Sequence, residues 1–295
     1  MQCNKCGNEG IVFQPYSGQH LCKRHFIGDV EAKAKRSIRV HHWLRPGDHI
    51  GVALAGDCQS MALLYFLKEL TSNRRDIRIS TLAIGDCASD CGNLTEVRKF
   101  SESLGIPCIS GSLSEKSGIN GADIPRESGD IISVHRGELR MCHLTRIAME
   151  NGITRFALGY TLDNAAKAVL IQFLNGRFHP CDNAGNETKK NSFWIYPFIA
   201  VPQDEIALYA DLHSMGTNLI PCLPGDRFAL ETEVSSVLEE YTDLHPGTKY
   251  ALLNLGDQLH ACGIGQPFFL RCPHQAALDD CEKCEFDWKV TEHAA

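Results

Sequence analysis

The chain has no apolar run of about 18 residues or more, the length a helix needs to cross a hydrocarbon core. It also has no charged stretch leading into a short apolar segment of the kind that marks a secreted precursor. The expectation is a cytoplasmic protein without a membrane partner. A positive balance is missing as well: 29 Lys and Arg stand against 36 Asp and Glu, a net charge of −7. Nucleic-acid binding driven by overall charge is thereby excluded, and any such binding must rest on a local patch. No internal repeat or low-complexity segment breaks the order of the chain.

What is abundant is cysteine, with 14 in the chain. In a reducing compartment thiols serve metals rather than disulfides. Cys3, Cys6, Cys22 and His25 form a C-x2-C and C-x2-H pattern ahead of any core sequence. Two ligand pairs on tight turns supply the four tetrahedral corners that zinc takes from thiolate and imidazole. A second cluster, Cys262, Cys272, Cys281 and Cys284, closes the other end and is expected to hold a second structural zinc. Its pair Cys281 and Cys284 is regular, but Leu259 stands where the mate of Cys262 belongs, so Cys272 or His260 must complete the set. For both clusters a disulfide framework or scattered buried thiols is the alternative.

At 295 residues and 43% apolar content, the chain can bury a full α/β core and still carry small modules at its ends. Residues 1–28 read as a zinc ribbon or knuckle with a turn over 14–20 between its ligand pairs. A basic helix follows. The stretch 33–45 offers Lys33, Lys35, Arg36, Arg39 and Arg45, with Trp43 as a stacking surface, and contains no acid. It is the candidate RNA contact, with a solvated helix face as the alternative. From His49 the pattern alternates. Strands are expected from His49, over Ile77–Ile84, Ile106–Ile109, Arg155–Leu158 and Trp194–Val201, and helices follow from Cys58, about Leu94–Leu104, about Glu138–Asn151, Ala165–Leu174 and after Pro202. Such alternation predicts an α/β fold with a doubly wound parallel sheet over 29–245, leaving 246–295 as a C-terminal zinc-binding module.

The order of these pieces resembles a known family. The terminal cysteine ribbons, the strand-loop-helix at 50–70, the segment GYTLDN at 159–164 and the segment VPQDEIALYA at 201–210 together resemble the tRNA 2-thiouridine synthetases, the TtuA type and cytosolic thiouridylase subunit 1. The resemblance spans nearly the whole chain. It implies an N-type ATP pyrophosphatase (PP-loop) domain of the adenine nucleotide alpha-hydrolase kind. In that family the domain adenylates the C2 oxygen of a tRNA uridine, and a sulfur donor then displaces AMP. It further implies ATP with Mg, tRNA, a sulfur-carrier protein and a paralogous subunit, and the terminal ribbons make a homodimer an expectation as well.

Departures from the family pattern fall on its chemistry. The phosphate loop S-G-G-K-D-S corresponds here to Ala55, Gly56, Asp57, Cys58, Gln59 and Ser60. Asp57 sets a carboxylate where backbone should approach phosphate, and Cys58 removes the lysine, so repulsion is added and attraction lost. A plain strand-to-helix turn is the alternative for 55–60. The family's cluster cysteine pair falls on Ser133 and Arg136, leaving Cys222 as the matching third ligand. One thiolate cannot hold an iron–sulfur cluster in the usual mode. His135 and Cys142 lie nearby in sequence as donors for another metal, with packing or capping as the alternative. Arg140 and Asp163 match the family's basic and acidic site residues, Asn164 replaces a second acid, and a helix N-cap is the structural alternative for Asp163.

Cys87 and Cys91, on the loop after the second strand, could join Cys58 in a new thiol cluster for a metal or a persulfide. Three functions stay open: a tRNA thiolation enzyme with altered chemistry, a non-catalytic tRNA-binding subunit paired with an active paralogue, and a metal or sulfur carrier on the same scaffold.

Overall fold

In a computed structural model the protein is described over residues 1–85, 91–112, 141, 143–176, 193–215 and 229–261. A short antiparallel hairpin opens the chain, β1 (Val12–Gln14) and β2 (Gln19–Leu21), with Val12 opposite Leu21. The basic helix α1 (Lys23–Val40) starts inside the ribbon, with Cys22 at its N-cap and His25 in its first turn. One pair of the quartet is therefore presented by a helix start and the other by the turn after Gln2.

The body is a five-stranded, wholly parallel sheet: β3 (His49–Ala53), β4 (Arg78–Gly85), β5 (Cys108–Ser112), β6 (Arg155–Ala157) and β7 (Trp194–Ile195), in spatial order β5-β4-β3-β6-β7. The chain winds outward from β3 through β4 to β5, then returns to the other side of β3. The reversal lies between β3 and β6, and doubly wound sheets bind ligands at such a point, outside the carboxyl ends of the strands. Helices α2 (Cys58–Thr71), α3 (Cys91–Ser103), α4 (143–150) and α5 (Leu162–Leu174) fill the crossovers. α6 (Gln203–Leu212) packs on α1 and α2, while α7 (Ala229–Leu244) and α8 (Thr248–Ala261) pack on α5.

The core is built where the sequence is apolar without alternation. β3 buries Ile50 and Val52 completely, and α2 buries Met61, Ala62, Leu63, Leu64, Phe66 and Leu67, so this helix is covered nearly all round. Gly51 admits Leu82 and Ile153 against the central strand: a Cβ there would stand 2.5 Å from Ile153 Cδ1. Below the sheet, Asp48 accepts from the Arg155 guanidinium at 3.2 Å and from the Thr154 hydroxyl at 2.8 Å. Both ionic partners are buried, which ties the start of β3 to β6.

Two expected strands are shorter or displaced, each because of a proline. Trp194–Val201 is strand only over its first two residues; Pro197, which has no N–H to donate, sits in a turn closed by Ile199 N–H on the Tyr196 carbonyl at 3.0 Å. The strand expected at Ile106–Ile109 begins after Pro107, whose carbonyl still accepts from Thr81 at 2.9 Å. α7 and α8 were not anticipated. α8 lies within the stretch expected to be a separate C-terminal module, and it packs along α5.

Candidate functional site

The four N-terminal donors converge. Their ligand atoms all lie within 4.8 Å of one another. His25 Nδ1 is 3.4 Å from both Cys3 Sγ and Cys22 Sγ, and Cys6 Sγ is 3.7 Å from Cys22 Sγ. A tetrahedral zinc with Zn–S of about 2.3 Å and Zn–N of about 2.0 Å has S···S edges near 3.8 Å and S···N edges near 3.5 Å. The donor set thus has the size and the chemistry of such an ion. Burial raises the Cys3 thiol, but the backbone N–H groups of Cys22 and Lys5, with His25 and Cys6, outweigh it and bring the thiol down to about 6. For Cys6 the Asn8 N–H pulls downward, yet burial and the Cys22 thiol prevail and the net shift is upward.

Between the ribbon and the body lies a buried polar network. Glu205, on the first turn of α6 and 6% exposed, accepts from Gln14 Nε2 at 2.8 Å, Tyr16 Oη at 2.5 Å and Lys33 Nζ at 2.9 Å. Gln14 also donates to Asp29 at 2.9 Å, Lys33 pairs with Asp29 at 2.8 Å, and Lys33 donates to the Tyr16 hydroxyl. Burial and the Glu205 carboxylate push the Tyr16 phenol well above its ordinary value, so it remains a donor. This network was missed in the sequence: 14–20 read as a turn, and Glu205 lay inside the VPQDE segment without an assigned part.

It also revises the basic stretch. Lys33 lies on the side of α1 turned toward α6 and is spent on two carboxylates, and Lys35 pairs with Glu31 at 2.8 Å. Trp43 is 7% exposed, stacked on His41 and set edge-on against Tyr196, so the stacking surface expected of it is covered. Arg36 and Arg39 are exposed on α1, and Arg45 is half-buried, its backbone N–H held by Asp48 at 2.7 Å. Of the five cations named in the stretch, Arg36 and Arg39 are the exposed ones.

At the switch point, Ala55–Ser60 joins β3 to α2. Gly56 has φ +85°, a left-handed conformation suited to glycine. Asp57 is the N-cap of α2: its carboxylate accepts from Ser60 N–H at 2.8 Å. Ser60 Oγ in turn accepts from Ala55 N–H at 3.3 Å. Two backbone donors of the kind a phosphate loop presents are therefore satisfied from within. The GYTLDN segment packs directly against this loop, since a Cβ on Gly159 would stand 3.0 Å from Gln59 C and Ser60 N.

Asp163 is neither the N-cap of its helix nor open. Thr161 is the N-cap of α5, with Asn164 Oδ1 accepting from its N–H and hydroxyl, each at 2.9 Å. The Asp163 carboxylate instead accepts from Gln203 N–H at 2.6 Å, capping α6, and from Lys249 Nζ of α8 at 2.5 Å. It lines a cleft of about 820 Å³ between the hairpin, the starts of α5 and α6, α7 and α8. Arg140, Cys222, Ser133, His135, Arg136, Cys142, Cys87 and the C-terminal set Cys262, Cys272, Cys281 and Cys284 lie outside the described residues, as does the side chain of Cys91. Cys58, the first residue of α2, is half-buried against the core.

Comparison with known proteins falls on the same pieces. Residues 2–27 match the family described as 2-thiouridine synthetase TtuA, N-terminal LIM domain. The tRNA 2-thiolation protein NcsA of Haloferax volcanii is 25% identical over 96% of this chain and 94% of its own. The tRNA-5-methyluridine(54) 2-sulfurtransferase of Thermus thermophilus is 24% identical over 97% of this chain and 87% of its own. Among solved structures, the U34-tRNA thiolase NcsA from Methanococcus maripaludis, with its 4Fe–4S cluster, superposes with a TM-score of 0.79 at 23% identity, covering 94% of this chain and 96% of that one. The fold expected from the sequence, a parallel sheet with an N-terminal cysteine ribbon, is the fold observed.

Proposed function

We infer, since the chain belongs to the TtuA/NcsA-type tRNA 2-thiolation family, that it acts on tRNA in 2-thiolation and depends on a second subunit for the adenylation step. The observation that carries the reading is the α2 N-cap: Asp57 accepts the Ser60 N–H at 2.8 Å, in the place where the family's loop would present that donor to phosphate. Cys58 replaces the lysine, and Ser133 and Arg136 replace two cluster thiolates, so ATP with Mg and an iron–sulfur cluster belong to the partner rather than to this chain. The partner is a paralogous subunit, or a second copy arranged as a homodimer; a sulfur-carrier protein supplies the sulfur. The ribbon quartet holds a structural zinc, and Cys262, Cys272, Cys281 and Cys284 hold a second one.

The assigned boundaries are a ribbon over 1–28, an α/β domain over 29–245 and a C-terminal module over 246–295 whose first helix is docked on α5. Arg36, Arg39 and Arg45 meet RNA phosphates, while Lys35 flanks them and Lys33 holds the helix in place. Arg140, Asp163 and Cys222 are retained site positions, Asp163 acting through α6 and Lys249. Among the described residues no helix is long and apolar enough to cross a membrane, and the assigned compartment is the cytoplasm. The test is in vitro thiolation of tRNA with ATP, Mg and sulfide, read as 2-thiouridine by nucleoside mass spectrometry. The chain alone is expected to give none and to stimulate an active paralogue; product from the chain alone would remove the dependence on a partner.

A further inference from the structure

We propose that the cleft beside the ribbon, with the α7 face next to it, is a docking site for a basic, apolar-rich segment of a partner protein. Its lining mixes polar side chains with an apolar and aromatic part made by Pro15, Tyr16, Leu208, Leu238, Pro246 and Tyr250, and the Tyr16 and Tyr250 rings lie 5.0 Å apart, tilted by 52°. Phe13, also on its wall, is 50% exposed. At about 820 Å³ the cleft has room for several side chains.

The charges around it select the sign of the occupant. Five acids line the cleft, Asp163, Asp204, Glu205, Glu239 and Asp243, against two lysines, Lys167 and Lys249, and two of the acids are answered within the fold, Asp163 by Lys249 and Glu205 by Lys33. Asp204, Glu239 and Asp243 are exposed on the lining, and none of the three has an ion-pair partner among the described residues. An RNA phosphate would be repelled there, and a lysine or arginine attracted. This face therefore differs in kind from the Arg36 and Arg39 face of α1.

The second observation comes from α7 itself. Ser235, Leu238, Glu239, Thr242 and Asp243 share its cleft side. Val237, Tyr241 and Leu244, spaced four and three residues apart, form a neighbouring stripe and are 61%, 53% and 78% exposed. A helix that buries Val234 and Leu238 against the body has no need of a second apolar stripe in water. Next to unpaired carboxylates it provides a hydrophobic centre with a charged rim, the usual anatomy of a protein interface. A partner segment would place lysine or arginine over Glu239 and Asp243 and apolar side chains over Tyr241 and Leu244.

Fluorescence anisotropy of the full, zinc-loaded chain with a labelled peptide alternating lysine and leucine around a central proline tests the assignment. Saturable binding is expected, weakened roughly 10-fold or more by Glu239→Lys with Asp243→Lys and reduced again by Tyr241→Ser. Arg36→Glu with Arg39→Glu should leave it intact. All of these positions are exposed, and circular dichroism checks that each variant is folded. Absence of binding, equal binding of the glutamate counterpart, or insensitivity to the α7 charge reversal would overturn the proposal. So would displacement of the peptide by tRNA, or a dimer in sedimentation velocity that the same α7 substitutions dissolve, which would assign the face to RNA or to a second copy.

Discussion

Replacing Asp57 separates the two things its carboxylate does at the head of α2. Its Oδ1 satisfies the Ser60 N–H at 2.8 Å, and its charge occupies the positive end of the helix. Asparagine keeps the cap and removes the charge, so Asp57→Asn should cost little stability, because the two residues are near equals as N-caps. Asp57→Ala removes both and should cost about 1 kcal/mol. For a domain of this size that is a fall in Tm of roughly 2–4 °C. The charge matters more for ligand binding. A carboxylate about 4 Å from a phosphate charge contributes about 1 kcal/mol of repulsion in water and about 4 kcal/mol at an effective dielectric of 20. Removing it should therefore tighten phosphate binding by about 5-fold at least and up to about 1,000-fold. Isothermal titration with pyrophosphate, and with ATP and Mg, should show no binding by the native chain, weak binding by Asp57→Asn, and tighter binding when Cys58→Lys is added. If the native chain binds pyrophosphate as tightly as Asp57→Asn does, the carboxylate is no barrier and the assignment of adenylation to a second subunit fails.

Four further outcomes are expected. Removing the metal with a chelator, or substituting Cys22→Ala, should release one zinc per N-terminal quartet by elemental analysis and abolish hydrogen-exchange protection in β1, β2 and the first turn of α1; unchanged protection would show that the fold of the ribbon does not depend on the ion. Lys33→Met should destabilise the protein by about 3–5 kcal/mol in chemical denaturation, because it leaves Glu205 buried and charged, and adding Glu205→Gln should recover most of the loss. An additive double variant would mean that Lys33 and Glu205 are not coupled. Gly159→Ala should cost about 1–3 kcal/mol, because its Cβ meets backbone atoms of Gln59 and Ser60 at 3.0 Å, whereas Gly28→Ala, with nothing within 4 Å of the new Cβ, should stabilise α1 by about 0.5–1 kcal/mol. Arg36→Glu with Arg39→Glu should weaken tRNA binding and flatten its salt dependence, and Lys33→Met should not flatten that slope, as Lys33 faces carboxylates.

The sheet was legible because apolar strands and amphipathic helices alternate from His49 onward, and burial on both faces leaves a β3 core with no polar residue to confuse the pattern. The quartet was legible because ligand spacing is a local property of the chain. The Glu205 network was not, since it joins positions 191 residues apart, Gln14 and Glu205, and no periodicity marks a buried carboxylate that finds its cation on another helix. Asp163 illustrates the same limit. The sequence offers it as an N-cap for the helix that follows, but only the packed structure shows that it caps a different helix and pairs with Lys249 on a third. Lys33 erred in the opposite direction: a lysine in a basic run reads as solvent-facing, and helical phase alone turned it inward beside Val30, Ala34 and Ser37.

These contacts run from the ribbon to the loop at 55–60. The quartet fixes the hairpin and the start of α1; the hairpin, through Gln14 and Tyr16, and α1, through Lys33, hold Glu205 at the head of α6. Asp163 caps that same helix, and its segment leans on Gln59 and Ser60 through Gly159. With the Gln203 N–H and Lys249 as partners, the Asp163 carboxylate is part of this frame. That accounts for an acid kept in the L-D segment of a chain whose phosphate loop has closed on itself. On the proposed reading, in which adenylation belongs to a partner, the chain still holds tRNA and meets that partner in a fixed geometry, and both tasks need the frame. The frame ends on the loop at 55–60, where the chain's own Asp57 carboxylate caps α2.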